Sequence, residues 1–133
     1  MKLLIAFLII LVPFTSSQSL PDLTISTAQV SQLNYFKSNN QLFALIPVNI
    51  TLTNNGNQSS GGSSILIQAT TVPTPANFFM ALPGINSNQS LQINAIFLSQ
   101  GNQRVFINIT ADIFNQVIET NENNNLYQLK TRT

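Results

Sequence analysis

The sequence predicts an all-β fold, an antiparallel β-sandwich of about seven strands. Three observations predict it. Apolar and polar residues alternate with a period of two along most of the chain after residue 20. Clusters of Asn, Gly, Pro and Ser separate the alternating segments, and no segment shows a convincing helical period. A chain of 133 residues leaves no room for a second sizeable core, so we expect a single domain.

The first strand carries Leu23 and Ile25 on one face, after which the apolar positions shift by one residue to Ala28 and Val30. This shift predicts a β-bulge or a strand that changes sheets. Leu42 to Thr53 is the second predicted strand, and Pro47 within it favours an edge position or a local bulge. The other predicted strands are 65–72, 77–82, 91–97, 105–113 and 126–131. Such a series of short strands and turns is the pattern of an immunoglobulin-like sandwich.

Two of the predicted turns between these strands have a stated geometry. Asn54 to Asn57 is a turn in which we expect Gly56 to supply a positive φ, and Gln100 to Asn102 is predicted to be a hairpin turn.

The N-terminus has the proportions of a secretory signal peptide. Leu3 to Phe14 is almost wholly apolar but spans only about 18 Å as a helix, against about 30 Å for a bilayer core. Small polar residues follow, and we expect cleavage after Ser17, with Ser19 as the second choice. The prediction is therefore a signal peptide over 1–17 and one secreted domain over 18–133, with contact to the membrane only through the signal before cleavage. A retained N-terminal anchor is the alternative.

The composition excludes several functions. Only 7% of residues are charged, and 18 Asn and 12 Gln take their place. The formal net charge of +1 lacks the clustered basic patch of a nucleic-acid binder. Without His or Cys there is no usual zinc site, thiol nucleophile or Ser–His pair, so we predict neither an enzyme nor a cofactor. So few titratable groups also predict a fold that acid does not melt.

Secretion gives meaning to four N-glycosylation sequons, at Asn49, Asn57, Asn88 and Asn108. Asn49 and Asn108 lie on the polar phase of the second and sixth predicted strands, which belong to opposite sheets in an immunoglobulin-like order. Glycans there would cover both outer faces, so contacts between subunits would use the ends or the strand edges. Donation of the first strand to a neighbour is one such geometry.

Four segments resemble the CARDB (cell-adhesion-related) domain of bacterial and archaeal surface proteins. Pro21 to Ile25 resembles its opening, Ile50 to Asn57 a strand end, and Leu82 to Ser90 a turn. Ile109 to Asn125 resembles the family's most specific motif, with Asp, Asn and Glu at matching places. The resemblance implies a seven-stranded sandwich with an extracellular adhesive or structural role and no catalytic residues.

Three groups of residues are candidate sites. Asp112, Glu119 and Glu122, with amide oxygens of Asn115, Asn121 and Asn123, could bind Ca²⁺; the alternative we favour is that the carboxylates accept backbone N–H groups and fix a long turn. Lys37 in a predicted loop and Lys130 could form an isopeptide crosslink, but neither looks buried. Aromatic residues could form a sugar or partner patch, with at most one of two neighbours facing the core; they are Tyr35, Phe36, Phe43, Phe78 and Phe79.

These observations predict a secreted, N-glycosylated surface module that acts by contact with itself or with other surface proteins. A lone secreted domain of this kind resembles the subunits of archaeal surface filaments built from immunoglobulin-like domains, so a filament or envelope subunit is the specific expectation. The alternative is a monomeric extracellular module that binds glycans or other ligands.

Overall fold

The computed structural model describes residues 19–133, so the predicted signal peptide over 1–17 lies outside the described residues. Eight strands make up the fold: β1 (Leu23–Val30), β2 (Asn34–Ser38), β3 (Gln41–Asn54), β4 (Ser63–Ala69), β5 (Ala76–Leu82), β6 (Ser90–Gln100), β7 (Arg104–Ala111) and β8 (Leu126–Arg132). Within residues 19–133 no helix is long and apolar enough to cross a membrane.

The strands form two antiparallel sheets packed as a sandwich, which confirms the predicted fold class. In the first sheet β3 is central: β1 and β2 follow one another along one side of it, and β6 pairs with the other side. The second sheet has the order β5-β4-β7-β8. The predicted second and sixth strands, now β3 and β7, do lie in opposite sheets.

The predicted bulge in β1 is confirmed, because the register with β3 shifts between Ile25 and Thr27. The expectation for Pro47 was wrong, since β3 is central and its pairing with β6 runs unbroken through this residue. The Pro47 carbonyl accepts a hydrogen bond from the N–H of Ser31, in the short connection between β1 and β2. The Pro47 nitrogen faces that same side, at the gap between the two strands, where a missing donor disrupts no ladder.

One strand was missed. Residues 34–38, including Lys37, form β2 rather than a loop, and they pair with β3 across a turn at Asn39 and Asn40. Both Asn residues have positive φ, 49° and 61°, as a two-residue type I′ hairpin turn requires. The strand escaped the period-two rule because all five of its residues are exposed.

The turn at Gln100–Asn102 is not a hairpin. It connects β6 in the first sheet to β7 in the second, and these strands do not pair with each other. The strand ends also moved: β4 ends at Ala69 and β7 at Ala111, before the predicted ends at Val72 and Ile113.

The core lies between the sheets and is almost entirely aliphatic. Its fully buried side chains come mainly from the inward phase of β3, β4 and β7, as the alternation predicts, and Leu23 of β1 joins them. They include Ile46, Val48, Ile50, Leu52, Ile65, Ile67, Ile107 and Ile109. Burial of each such side chain contributes about 1.5–3 kcal/mol, which lets the domain fold without a disulfide.

The entry to β1 is fixed by the turn after β3. Asn54 is fully buried, and its Oδ1 accepts hydrogen bonds from the N–H groups of Asp22 and Gly56, both at 3.0 Å. Gly56 lies under residues 20 and 21, where a Cβ atom would stand 2.4 Å from the Leu20 carbonyl oxygen. Positive φ is recorded for Gly61 rather than Gly56, so this glycine is required by a close approach of two backbones and not by the turn type.

Candidate functional site

The three predicted metal-candidate carboxylates do come together, in the 112–125 connection between β7 and β8. One oxygen from each of Asp112, Glu119 and Glu122 lies within 4.8 Å of the others. Asp112 and Glu119 are buried, whereas Glu122 is exposed. We call these three residues the carboxylate cluster.

Asp112 closes the first part of this connection. Its Oδ1 accepts a hydrogen bond from the N–H of Gln116 and its Oδ2 from the N–H of Val117, both at 3.0 Å. Its own backbone has a φ of 45°, in the left-handed region that Asp and Asn tolerate better than most residues. The carboxylate therefore satisfies two backbone donors that the turn would otherwise leave without partners.

Glu119 joins the connection to the first strand. Its Oε2 accepts a 2.6 Å hydrogen bond from the N–H of Leu23, and its Oε1 accepts one at 3.1 Å from the side-chain amide of Asn125. The N–H of Thr120 donates to the Pro21 carbonyl at 3.0 Å, next to this contact. The cluster thus holds the start of β1 against the connection between β7 and β8, whereas the alternative favoured from the sequence concerned only the turn itself.

Burial raises the pKa of Glu119 to about 7, although its hydrogen bonds from Leu23 and Asn125 act in the opposite direction. The nearby carboxylates of Glu122 and Asp112 add to the increase. Near neutral pH this side chain is therefore present in both its protonated and its ionised form. One of its neighbours is incompletely hydrogen bonded. The Oδ1 atom of Asn125 is buried without a hydrogen-bond partner.

The cluster has limited free capacity for a cation. Glu122 Oε1 accepts a hydrogen bond from the N–H of Glu119 at 2.8 Å, so all three carboxylates already accept backbone bonds. Of the predicted amide ligands, Asn121 Oδ1 accepts from the N–H of Asn123 at 3.0 Å. A cleft of about 290 Å³ beside Asp112 and Glu122 is also lined by Asn115, Asn123 and Asn125.

The four sequon residues occupy two kinds of position. Asn49 and Asn108 are half-buried on the outward phases of the central strands β3 and β7, and the Asn49 amide contacts the Ser31 hydroxyl. Asn57 and Asn88 are exposed in the connections at the end of the sandwich where β1 begins. Each face position lies in a row of amides across its sheet: Gln29, Asn49 and Asn94 in the first sheet, and Asn77, Gln68, Asn108 and Gln128 in the second.

Part of each outer face is apolar. Of the aromatic residues named from the sequence as a possible patch, Phe36, Phe43 and Phe79 lie on these faces, whereas their aliphatic neighbours were missed. In the first sheet, cross-strand neighbours next to the amide row form a continuous surface that we call the β6 patch, consisting of Phe36, Phe43, Leu45, Pro47, Ile96 and Leu98. Phe36 and Phe43 stack with ring centroids 5.6 Å apart, and Ile96 and Leu98 are 69% and 50% exposed. The sequence of β6 contained a sign of this patch: Ile96 and Leu98 lie on the outward face of the strand, which carries the polar residues Gln92 and Asn94 further back.

The second sheet carries a smaller apolar surface, the β5 patch, consisting of Leu66, Phe79, Phe114 and Leu126. Phe79, Leu66, Thr110 and Leu126 lie in one cross-strand row, and the Phe114 ring packs 5.7 Å from that of Phe79. Phe79, Phe114 and Leu126 are 52%, 66% and 58% exposed. As predicted, only one of the adjacent aromatic residues in β5 faces the core: Phe78 is half-buried and Phe79 points outward.

The charged side chains of residues 19–133 are separated between the two ends of the sandwich. The end that holds the 112–125 connection and the start of β1 has all four carboxylates, and we call it the acidic end. The opposite end holds the β2–β3 and β6–β7 turns and has all four cations, Lys37, Arg104, Lys130 and Arg132; we call it the basic end. Lys37 and Lys130 are exposed, and an isopeptide crosslink needs a buried lysine.

Three of these cations share the outer face of the second sheet. Arg104 pairs directly with Arg132 across the strands, and Phe106 pairs with Lys130. Their side chains line an open cleft of about 390 Å³ together with Thr131. The β5 patch lies on this same face toward the acidic end, whereas the β6 patch lies on the other face toward the basic end.

Two antiparallel sheets form a sandwich, and the 112–125 connection holds the start of its first strand. This arrangement defines the class of the protein as an immunoglobulin-like module. Comparison with known families makes the assignment specific. The CARDB family model matches residues 20–129, and the chain belongs to the CARDB family. CARDB is a cell-adhesion-related, non-catalytic β-sandwich module found in surface proteins. Among curated proteins, none matches this sequence.

Solved structures support the same fold. The crystal structure of the CARDB domain of the PF1109 protein from Pyrococcus furiosus, in complex with di-metal ions, is similar with a TM-score of 0.64 and 20% identity, over 88% of this chain and 96% of that one. The solution structure of that domain gives a TM-score of 0.58 and 20% identity, over 86% and 96% of the two chains. Structural genomics target SoR45 is similar with a TM-score of 0.58 and 13% identity, over 83% and 87%.

Proposed function

We propose that this protein is a secreted, N-glycosylated subunit of an extracellular assembly, which acts through contacts between protein surfaces. The observation that carries the proposal is the clustering of exposed large apolar side chains into the β6 and β5 patches. Contiguous apolar surface rimmed by polar residues is typical of protein–protein contact sites. Membership in a cell-adhesion-related family agrees with this role.

The proposed glycans would leave these patches free. Asn49 and Asn108 lie in the amide rows, outside both patches, so glycans there would cover the middle of each face. A full face-to-face stack of subunits would be blocked, and contacts would be restricted to the parts of the faces near the two ends. Peptide mapping of the native protein tests this part, with hexose-containing adducts expected at Asn49 and Asn108.

The assembly needs no donated strand. β1 pairs with β3 over seven residue pairs in its own chain, and Glu119 and Asn124 hold its start. Donation of β1 would replace these contacts with the same contacts made by the β1 of a neighbouring copy. Surface patches offer a route to assembly that leaves each sandwich complete.

Electron microscopy and sedimentation of native material from the cell surface test the proposed function. We expect ordered polymers that contain this chain. A native protein that remains a monomer at high concentration would contradict the proposal and would favour the alternative of a monomeric ligand-binding module.

The carboxylate cluster has a structural role in this proposal. The similarity to the metal-bound Pyrococcus furiosus domain is at 20% identity, and here each carboxylate already accepts a backbone bond. We therefore expect millimolar calcium to leave the melting temperature unchanged relative to a sample with chelator. A substantial increase with calcium, reversed by chelator, would instead assign the cluster to a cation.

A further inference from the structure

We propose that the open cleft on the outer face of the second sheet, at the basic end, binds an acidic sugar of an extracellular polysaccharide. The carboxylate or sulfate group of the sugar lies between Arg104 and Arg132. We call this surface the cationic cleft; it is lined by Arg104, Phe106, Lys130, Thr131 and Arg132. The inference goes beyond the proposed function, because it assigns a ligand to a surface outside both apolar patches and holds for a monomer or a polymer.

Three of the four cations of residues 19–133 lie together in the cationic cleft. Arg104 and Arg132 are directly opposite each other on β7 and β8, and Lys130 follows on the same face as a diagonal neighbour of Arg104. Side chains in directly opposed positions have Cβ atoms about 5 Å apart, and diagonal neighbours are about 7–8 Å apart, within reach of long side chains. The three charged groups can therefore reach one anion.

These cations have no acidic side chain beside them among the described residues, since all four carboxylates lie at the acidic end. Like charges in opposed positions destabilise a sheet, so the arrangement costs the fold something. Local conflicts of this kind in a folded chain are expected at functional sites. An anion between the two guanidinium groups would remove the repulsion, because a guanidinium group binds a carboxylate or sulfate through two parallel N–H donors.

The neighbours of the cations fit a sugar better than a simple anion. Phe106 pairs with Lys130 across the strands and is 47% exposed, so its ring offers a surface for the apolar C–H face of a pyranose. The Phe106 backbone is fixed, since its N–H donates to the Thr70 hydroxyl at 2.9 Å and its carbonyl accepts from the Thr70 N–H at 3.0 Å. The amide of Gln128, the next exposed outward residue of β8, provides a donor and an acceptor for sugar hydroxyls.

The size of the cleft and the number of charges favour a saccharide over other anionic partners. Its volume of about 390 Å³ is in the range of sites for small ligands. Three cations are fewer than the four to eight of a segment that binds anionic lipid, and the net charge of +1 does not suit nucleic acid. The cleft lies on the edge strand β8, where a polysaccharide can continue past the sheet, and a glycan on Asn108 would border it on the inner side.

Calorimetric titration of the secreted chain at low salt tests the inference. The probes are tetragalacturonate, a sulfated heparin tetrasaccharide, neutral maltotetraose and inorganic sulfate. We expect both acidic tetrasaccharides to bind at least about tenfold more tightly than inorganic sulfate, and maltotetraose to show no binding. The affinity for the acidic probes should decrease as salt is added, because screening weakens the contact between exposed charges.

Matched variants show whether the cationic cleft is the site. Arg104→Gln and Arg132→Gln should each weaken binding of tetragalacturonate at least about tenfold. Phe106→Thr should weaken it at least about fivefold but leave the weak binding of inorganic sulfate unchanged, since only the sugar uses the ring. Lys37→Gln removes the same charge at the same end but in the first sheet, and should bind like the wild type. Thermal melts check that all variants are folded.

Several outcomes would overturn the inference. If inorganic sulfate binds as tightly as the tetrasaccharides, the cleft takes a simple anion and not a sugar. If Lys37→Gln loses as much affinity as Arg132→Gln, the attraction is diffuse and no site exists. Duplex DNA or phosphatidylglycerol vesicles that bind more tightly than the tetrasaccharides, and are lost in Arg104→Gln, would assign the cleft to that partner. Polymerisation is measured separately, so none of these results decides the proposed function.

Discussion

The two ends of the sandwich differ in the burial and hydrogen bonding of their charged side chains. At the acidic end, Asp112 and Glu119 are buried and accept hydrogen bonds from backbone N–H groups. At the basic end, Arg104, Lys130 and Arg132 are exposed and form no salt bridge with any carboxylate of residues 19–133, since those carboxylates lie at the opposite end. A chain with so few charges has thus used two of its carboxylates for folding and left its cations on the surface.

The difference indicates which end of the sandwich is sensitive to substitution and which end tolerates it. Substitutions at the acidic end remove partners from buried donors or disturb the entry of β1, so they should affect stability. Substitutions at the basic end remove only solvated groups, so they should affect stability little.

The largest expected effect follows from removing a buried carboxylate. Asp112→Ala leaves the N–H groups of Gln116 and Val117 without partners, and Glu119→Ala does the same to Leu23. Each substitution should lower the free energy of unfolding by about 1–3 kcal/mol, measured by urea denaturation. Lys130→Ala at the basic end is the control and should change it by less than about 0.5 kcal/mol. Equal effects at the two ends would contradict the comparison.

A matched pair of glycine variants tests the close approach at the acidic end. A Cβ atom on Gly56 would meet the backbone of Leu20 and Pro21 at 2.4–2.5 Å, whereas one on Gly62 would meet the Leu82 carbonyl oxygen at 3.6 Å. Gly56→Ala should destabilise the protein by about 1–3 kcal/mol through overpacking, with little change for Gly62→Ala. Similar melting temperatures for the two variants would show that the start of β1 can move at no cost.

The sequence predicted the core of this fold because the information there is local. Along β3, inward residues such as Ile46 and Ile50 alternate with outward ones such as Asn49, and burial follows that period. The bulge in β1 was predicted for the same reason, as one of two ways in which a strand can accommodate a one-residue slip of its apolar positions; the other was a change of sheet. The fold class follows from seven such segments.

The errors arose where the answer depended on neighbours distant in sequence. Nothing local distinguishes a hairpin turn at Gln100–Asn102 from one that crosses between sheets, because that depends on the strands with which β6 and β7 pair. Pro47 is tolerated in a central strand only because β1 ends and β2 begins beside it. The exposed strand β2 has no alternation to detect, although Asn39-Asn40 was a usable turn signal.

The sequence predicted which residues form the candidate site but not what these residues do in the fold. The sequence placed Asp112, Glu119 and Glu122 on one connection, and the structure brings them within 4.8 Å. It could not show that Glu119 reaches Leu23, which is 96 residues away in sequence. The sequence pointed to Phe36, Phe43 and Phe79 but not to their aliphatic neighbours, because each patch is a row of side chains from different strands, and a row becomes visible only once the register is known.

The raised pKa of Glu119 predicts the direction in which stability changes with pH. The folded state binds this proton more tightly than the unfolded state, because the pKa rises from 4.5 to about 7 on folding. The contribution to stability is therefore fully present below pH 4.5 and is lost as the pH rises toward 7. A protonated Glu119 can also donate to the buried Oδ1 of Asn125 if that amide turns over, which would give this atom a partner.

Thermal melts at pH 4.5 and pH 8 measure this effect. We expect the wild type to be more stable at pH 4.5 by about 1–2 kcal/mol, a value reduced from the full shift to allow for solvent screening near the exposed Glu122. Glu119→Gln should remove this part of the pH dependence, because its amide cannot titrate but still offers an oxygen to Leu23. A wild type that is no more stable at pH 4.5 than at pH 8 would contradict this prediction, and a melting temperature tens of degrees lower at pH 3 would contradict the expected resistance to acid.

The smallest expected effect has the opposite sign and lies at the basic end. Arg104 and Arg132 stand directly opposite each other on β7 and β8, with Lys130 on the same face, and like charges in directly opposed positions destabilise a sheet. Arg132→Gln should therefore stabilise the monomer by about 0.5 kcal/mol or less at low salt. The gain should disappear near 1 M salt, where the screening length is about 3 Å. A loss of stability at low salt would show instead that the arginine stems pack on Phe106, and that the basic end is as firmly built as the acidic one.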